Sequence, residues 1–215
     1  MEPVYLELGK QRVFACALDW PGWCRAGKSE ALALEALAAA APRYARVAAD
    51  AGFAFGINEG LDVVTRVPGS ASTDFGVPGA VPDLDREPLA EPGAERLASL
   101  VAAAWRELER VVAAAPAELR KGPRGGGRDR DAIVDHVLAA EAAYARKLGL
   151  RFRQPDRADV AAIGAAREAI LGALRQASAG PAGGGTGWPA RYAARRIAWH
   201  ALDHAWEIED RQPAD

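Results

Sequence analysis

The chain has 215 residues and a formal net charge of −2, long enough for one large domain or two small ones around a buried core. Half of the residues are apolar and 26% are charged, as in a folded soluble protein. The near-neutral charge gives no electrostatic footprint for long nucleic acid, and no apolar run approaches a membrane span. The opening MEPVYLELGK lacks the basic-then-apolar pattern of a secretory signal, so a cytoplasmic protein is expected. Cys16 and Cys24 are too few for a disulfide scaffold and form no CxxC motif, and read as small apolar residues.

Residues 1–67 read as a small α/β unit. VYLEL and RVFACAL alternate in polarity on either side of Gly9-Lys10, which predicts a hairpin. DWPGWCRAG is turn-rich with room for a third strand. Ser29 is placed to cap a helix running to about Asp50 and carrying Leu34, Leu37, Tyr44 and Val47. LDVVTRV then alternates as a strand. Residues 68–93 turn to Pro, Gly, Asp and Ser without periodicity, which predicts a linker packed over one of its neighbours.

Residues 94–215 carry four amphipathic helical patterns. Leu97, Leu100, Val101, Ala104, Leu108, Val111 and Val112 line one face of the first, which Pro116 closes. The second runs from about Asp129 with Ile133, His136, Val137, Ala140 and Tyr144 inward. The third opens at Pro155, with Val160, Ile163, Ile170, Leu171 and Leu174 inward. After PAGGGTG the fourth runs from about Pro189 to Asp210, with Ile197, His200, Ala201, His204 and Ile208 inward. Four such helices with short connections predict a bundle, so the fold class expected is an α+β N-terminal domain followed by an all-α bundle.

The chain contains three histidines, and all three fall on inward stripes. In WHALDHAWEIED, His200 and His204 stand one turn apart on one helix face, a spacing that can chelate one ion; the alternative is a pair of satisfied core or solvated histidines. His136 lies inward on another helix, where an unpartnered imidazole is costly. At 1.5 Å per residue, His136 lies roughly 10 Å from the start of its helix, and His200 and His204 roughly 15 and 9 Å from the end of theirs. The three meet at one level only if these helices are antiparallel, which favours an up-down-down-up order with a crossover between the second and third. The seven or so residues from Gly149 to Pro155 can stretch about 23 Å, barely enough. Three neutral imidazoles suit Zn, Ni or Fe(II) and leave positions open for water or substrate. Glu207, on nearly the same face, is a candidate fourth ligand, general base or outer partner, or simply a rim glutamate.

DHVLAAEAAYARKLG followed by RRIAWHALDHAWEIEDR resembles the two metal-bearing helices of the DinB-like superfamily, which includes thiol-dependent maleylpyruvate isomerases and related S-transferases. The resemblance covers about 125 residues from Pro88 onward and is most specific in the last helix. It implies an up-down-down-up four-helix bundle, often dimeric, that binds a divalent metal through His136, His200 and His204. It also implies a metal-activated low-molecular-weight thiol, such as mycothiol, bacillithiol or glutathione, used for transfer to or isomerisation of a small-molecule substrate. ALDWPGWCRAGKSEALALEAL more weakly resembles HicB-like domains, and departs from them at Trp23, where a small residue is usual. That implies a repurposed domain that covers the bundle or forms a dimer.

RKGPRGGGRDR carries five basic residues; it reads either as a clamp for an anionic cofactor tail or as a solvated loop, and it lacks the ending of a P-loop. Arg195 and Arg196, a turn or so before the histidine pair, are candidate cofactor-binding residues for a carboxylate of substrate or of a neighbouring helix. Trp188, Trp199 and Trp206 are expected to fill the bundle ends, and Trp20 and Trp23 to pack onto the last helix or the linker. No GxSxG or Ser-His-Asp arrangement is present. Two functions stay open: a metal-dependent thiol transferase or isomerase, and a non-enzymatic, stress-related or partner-binding module with a structural or regulatory metal.

Overall fold

The computed structural model describes residues 1–57, 59–122, 126–176 and 187–213. Its elements are β1 (Glu2–Leu8), β2 (Val13–Ala17), β3 (Cys24–Gly27), α1 (Glu30–Ala39), α2 (Ala41–Asp50), β4 (Leu61–Pro68), α3 (Ala71–Phe75), α4 (Glu91–Ala114), α5 (Arg130–Lys147), α6 (Val160–Gln176) and α7 (Ala190–Asp210), with a 3-10 turn at Asp83–Arg86. Among the described residues the fold is therefore mixed α and β, a four-stranded sheet with seven helices. No helix among the described residues is long and apolar enough to cross a membrane.

The strands lie in the order β3-β2-β1-β4. β2 pairs antiparallel with β1 and β3, while β4 returns through α1 and α2 to lie parallel to β1 at the other edge. Period-two alternation gives the sheet two distinct faces. Val4, Leu6, Val13 and Ala15 face α1 and α2 and join the main core with Leu37 and Tyr44. Tyr5, Phe14, Cys16 and Cys24 point the other way and form a second cluster with Trp199 of α7.

Ser29 caps α1, its hydroxyl accepting from Leu32 N–H. The expected single helix to Asp50 is instead two, joined at Ala40. Pro42 explains the break: it has no N–H, and its ring would clash with the carbonyl four residues back in a continuous helix. Trp23 of the DWPGW turn is fully buried, donates to Leu37 O at 2.9 Å and stacks on Tyr44. Trp20 packs edge-on against Tyr44 and Phe55. Both rings thus serve α1 and α2, and Gly22 between them touches α7.

The stretch 68–93 is more ordered than its composition predicts. Ser70 caps α3 in a reciprocal capping box with Thr73. The stretch is pinned over the second sheet face by Glu7, a strand residue with 0% exposure. Its carboxylate accepts from Thr73 Oγ1 and from the Gly79 and Ala80 N–H groups at 3.0 and 2.9 Å.

α4 packs on α6 and α7, and α5 packs on α6 and α7. The expected inward stripe of α4 is buried apart from the partly exposed Val112. In α6, Ile170, Leu171 and Leu174 are buried, but Val160 is 78% exposed because the helix only begins there. PAGGGTG lies outside the described residues except for its last glycine. Arg167 of α6 reaches Glu141 of α5 through two bonds of 3.1 Å and lies over the Trp105 ring of α4, binding the three helices together. On the opposite side, Arg43, Arg46 and Arg110 gather on Glu107 and Glu209, joining α2, α4 and α7. These arginines are partly solvated, so each pair contributes little and the network holds as a group.

A Cβ on Gly22 (φ +92°) would stand 2.7 Å from Leu202 Cδ1, whereas one on Gly52 (φ +83°) would meet nothing within 4 Å. Gly22→Ala is therefore expected to cost roughly 2–4 kcal/mol, left-handed strain plus overpacking, against roughly 1–2 for Gly52→Ala. Urea unfolding of both variants checks this; equal losses would show that the turn does not press on α7.

Candidate metal centre

α7 is buried on nearly every side, and successive faces of it have separate tasks. Tyr192, Arg195 and Trp199 meet the second sheet face and the segment over it. Ala198 and Leu202 meet the Gly22 turn, and Trp206 lies under Arg25 of β3 and Arg43 of α2. Arg196, His200 and His204, at steps of four, meet α5.

On that last face the three histidines converge. One ring nitrogen of each of His136, His200 and His204 lies within 4.8 Å of the other two. The Nε2 atoms of His136 and His200 are 3.2 Å apart, and the rings of His200 and His204 are 4.6 Å between centroids. Two nitrogens on one tetrahedral ion at about 2.05 Å would be separated by about 3.3 Å, so the nitrogen spacing fits a metal. An imidazole–imidazole hydrogen bond could explain one such distance but not the arrival of a third ring. α5 and α7 are antiparallel at this point: Trp188 N–H, before α7, donates to Lys147 O at the end of α5, and Arg120 N–H, before α5, donates to Arg211 O after α7.

Glu207 is not at the centre of the cluster. Its Oε2 is 2.8 Å from His204 Nδ1, and its Oε1 accepts from Arg211 at 2.6 Å. This leaves His204 Nε2 as the nitrogen turned to its neighbours, the arrangement by which a carboxylate fixes the tautomer of a ligating imidazole. His204 above all, then Arg211, hold the Glu207 carboxyl below the usual range against its partial burial. Burial, with smaller contributions from His204 and Arg196, pushes His200 down to about 2. His136 is lowered too, by burial first and His204 next. Both rings are therefore neutral near pH 7, as metal ligands must be. His200 Nδ1 is buried without a hydrogen-bond partner among the described residues.

The two candidate arginines part company. Arg195 turns to the sheet, 6% exposed, where its Nη2 donates to Asp85 and its guanidinium lies over Tyr5. Arg196 stays beside the histidines, its guanidinium 5.3 Å from the Tyr144 ring and 4.7 Å from the Trp199 ring. Tyr144 and Trp199 are flanking residues that sequence alone read only as core filling. Arg211 had a signal in its place four residues after Glu207; Asp85 had none. The centre of the basic loop, 123–125, lies outside the described residues, and its N-terminal end joins the C-terminal end of α7 through Arg120.

Cys16 and Cys24 face one another across β2 and β3 with sulfurs 2.8 Å apart, and burial pushes the Cys24 thiol well above its usual range. A cavity of about 20 Å³ adjoins them, bordered also by Tyr5, Arg195, Arg196 and Trp199. That is room for about one water.

Comparison with known protein families, with curated proteins and with solved structures finds no match to this chain.

Asp85→Ala would leave the Arg195 cation buried without its counter-charge, and is expected to cost about 3–5 kcal/mol. Adding Arg195→Met should restore most of it, because the charge is then gone as well. Denaturant unfolding of the single and double variants reads this; a harmless single variant would mean Arg195 is not held by Asp85.

Proposed function

We propose that this chain is a divalent-metal-binding protein of the DinB-like type, acting as a metal-dependent thiol transferase or isomerase with a low-molecular-weight thiol. The observation that carries the proposal is the convergence of His136, His200 and His204 from two helices, with Glu207 orienting His204. α4 to α7 are read as an up-down-down-up bundle. That reading is supported by the antiparallel α5 and α7 and by two ion pairs, Glu95–Arg175 and Glu109–Arg167, that set α4 against α6. Arg191 near the start of α7 donates to Pro88 O before α4, and Arg110 meets Glu209 near the far ends, so α4 and α7 run together.

His136, His200 and His204 would hold Zn, Ni or Fe(II) and leave positions open to an exogenous ligand. The ion, when bound, lowers the pKa of a thiol enough to hold it as thiolate at neutral pH. The chain's own part is to orient the imidazoles, to keep His136 and His200 neutral, and to wall the site with Tyr144 and Trp199 against bulk water. Residues 1–67 are read as the HicB-like unit, repurposed to cover the helices. The ligands would be a thiol such as mycothiol, bacillithiol or glutathione and a small-molecule substrate, in a cytoplasmic protein, with a homodimer as the expected assembly and no nucleic acid or membrane as partner.

Purified protein is expected to carry about one divalent ion per chain, and the His200→Ala, His204→Ala double variant none. Metal analysis checks both, and full retention in the double variant would sink the proposal. Glu207→Gln should weaken metal affinity by about 10–100-fold, read by chelator competition. A cognate thiol at about a hundred times its Kd should add about 2.7 kcal/mol, seen as a rise in Tm of several degrees. No response to any thiol, together with a stoichiometric protein partner, would favour a non-enzymatic module.

A further inference from the structure

We propose that Arg196 is the anion anchor of the metal centre, selecting a ligand with a carboxylate about one helical turn from the atom that binds the ion. The inference rests on the metal reading above and adds the class of ligand. Arg196 stands four residues before His200 on the face that carries the histidines, about 6 Å away along the axis. Tyr144 and Trp199 hold its guanidinium between them, and the same two rings flank His200 at 5.7 and 6.1 Å. Cation and imidazole therefore share their walls.

Charge makes the placement informative. Arg25, Arg43, Arg195 and Arg211 each meet a carboxylate on or beside α7. Arg196 forms no ion pair among the described residues, and its Nη1 is buried without a partner. A partly buried guanidinium with one nitrogen shut off from water and unpartnered is less favourable than a paired one, and a counter-charge would relieve it. The histidines do not provide one, because an imidazole supplies no negative charge in either protonation state, and Glu207 is already matched by Arg211. A bound divalent ion would make the surroundings more positive still, so a ligand with one anionic donor and one anionic tail complements both.

Space sets the direction of approach. On its sheet side Arg196 borders the small cavity beside Cys16 and Cys24, which has room for about one water and not for an organic acid. The tail would therefore reach the guanidinium from the histidine side, not through this cavity, and the planar fork of Arg can take a carboxylate there through two N–H groups. Arg195 cannot share the task, being turned to Asp85.

The test uses full-length protein loaded with Co(II), and compares 3-mercaptopropionate with its neutral amide, 3-mercaptopropionamide, by the thiolate-to-cobalt absorption band. Wild type should bind the acid at least ~10-fold more tightly than the amide, a difference of about 1.4 kcal/mol. Arg196→Gln should bring the ratio to about one, and Arg196→Lys should keep part of it, as a point charge without the fork. Unchanged cobalt spectra before thiol addition show that each variant retains the centre. A ratio near one in wild type, or a full ratio in Arg196→Gln, overturns the anchor. So does loss of the ratio in Arg128→Gln alone, which would move the anion to the basic loop. Should Arg196→Gln lose its cobalt, an undiminished ratio in Arg196→Lys overturns it instead. Wild type that takes up no cobalt at all is a different result, removing the metal centre and the anchor with it.

Discussion

Everything in this molecule leans on α7. A helix that is surrounded must satisfy several neighbours at once, and each neighbour takes the residues that the 3.6-residue repeat presents to it. The alanines of α7, among them Ala193, Ala194, Ala198, Ala201 and Ala205, are fully or almost fully buried. Their small side chains let neighbouring backbone come close, as at Ala198 beside Gly22. The larger side chains then project into specific gaps: Trp199 into the second sheet face, Trp206 under Arg25, the imidazoles toward α5. A helix with one apolar stripe could not hold a polar cluster and a sheet contact at neighbouring positions of the same turn.

This arrangement explains how a buried histidine such as His200 can be neutral. His200 and His204 sit on a helix that the rest of the fold fixes on its other sides, so they have little freedom to turn toward water. Removing an imidazole from water favours its uncharged form, and Glu207 sets the tautomer of His204. Rigid backing on one side and a converging partner helix on the other is how a three-nitrogen site is preorganised without a ligand to assemble it.

The sequence made the site more legible than its surroundings. An HxxxH pair and one further histidine on an inward stripe are local periodic signals, and both the convergence and the antiparallel relation of the two helices follow from them. The strands and the long helices were legible for the same reason, with end errors of a few residues. What was missed depends on contacts between distant parts of the chain or on elements shorter than a period. Glu7 alternates like an outward strand residue, yet is wholly buried because Thr73, Gly79 and Ala80 come back over it. Arg195 reads as a candidate for a carboxylate of substrate or of a neighbouring helix until Asp85, 110 positions away, meets it inside. α3 and the 3-10 turn span too few residues to show a repeat, and composition suggested a linker. Pro42 was a visible signal, outweighed by the alanines on both sides of it.

The contrast between Arg195 and Arg196 carries the functional argument furthest. They are adjacent in sequence and chemically identical, and about 100° apart around the helix. One is neutralised by a carboxylate of this chain and stacked on a sheet tyrosine, which is a structural assignment. The other is held by ring faces that orient the guanidinium without cancelling its charge. A fold that supplied Arg195 with an internal anion had the means to do so one residue later. With no ion pair for Arg196 among the described residues, positive potential is concentrated beside the histidines, where the proposed ligand would enter, and the fork geometry would then discriminate among anions by shape as well as charge.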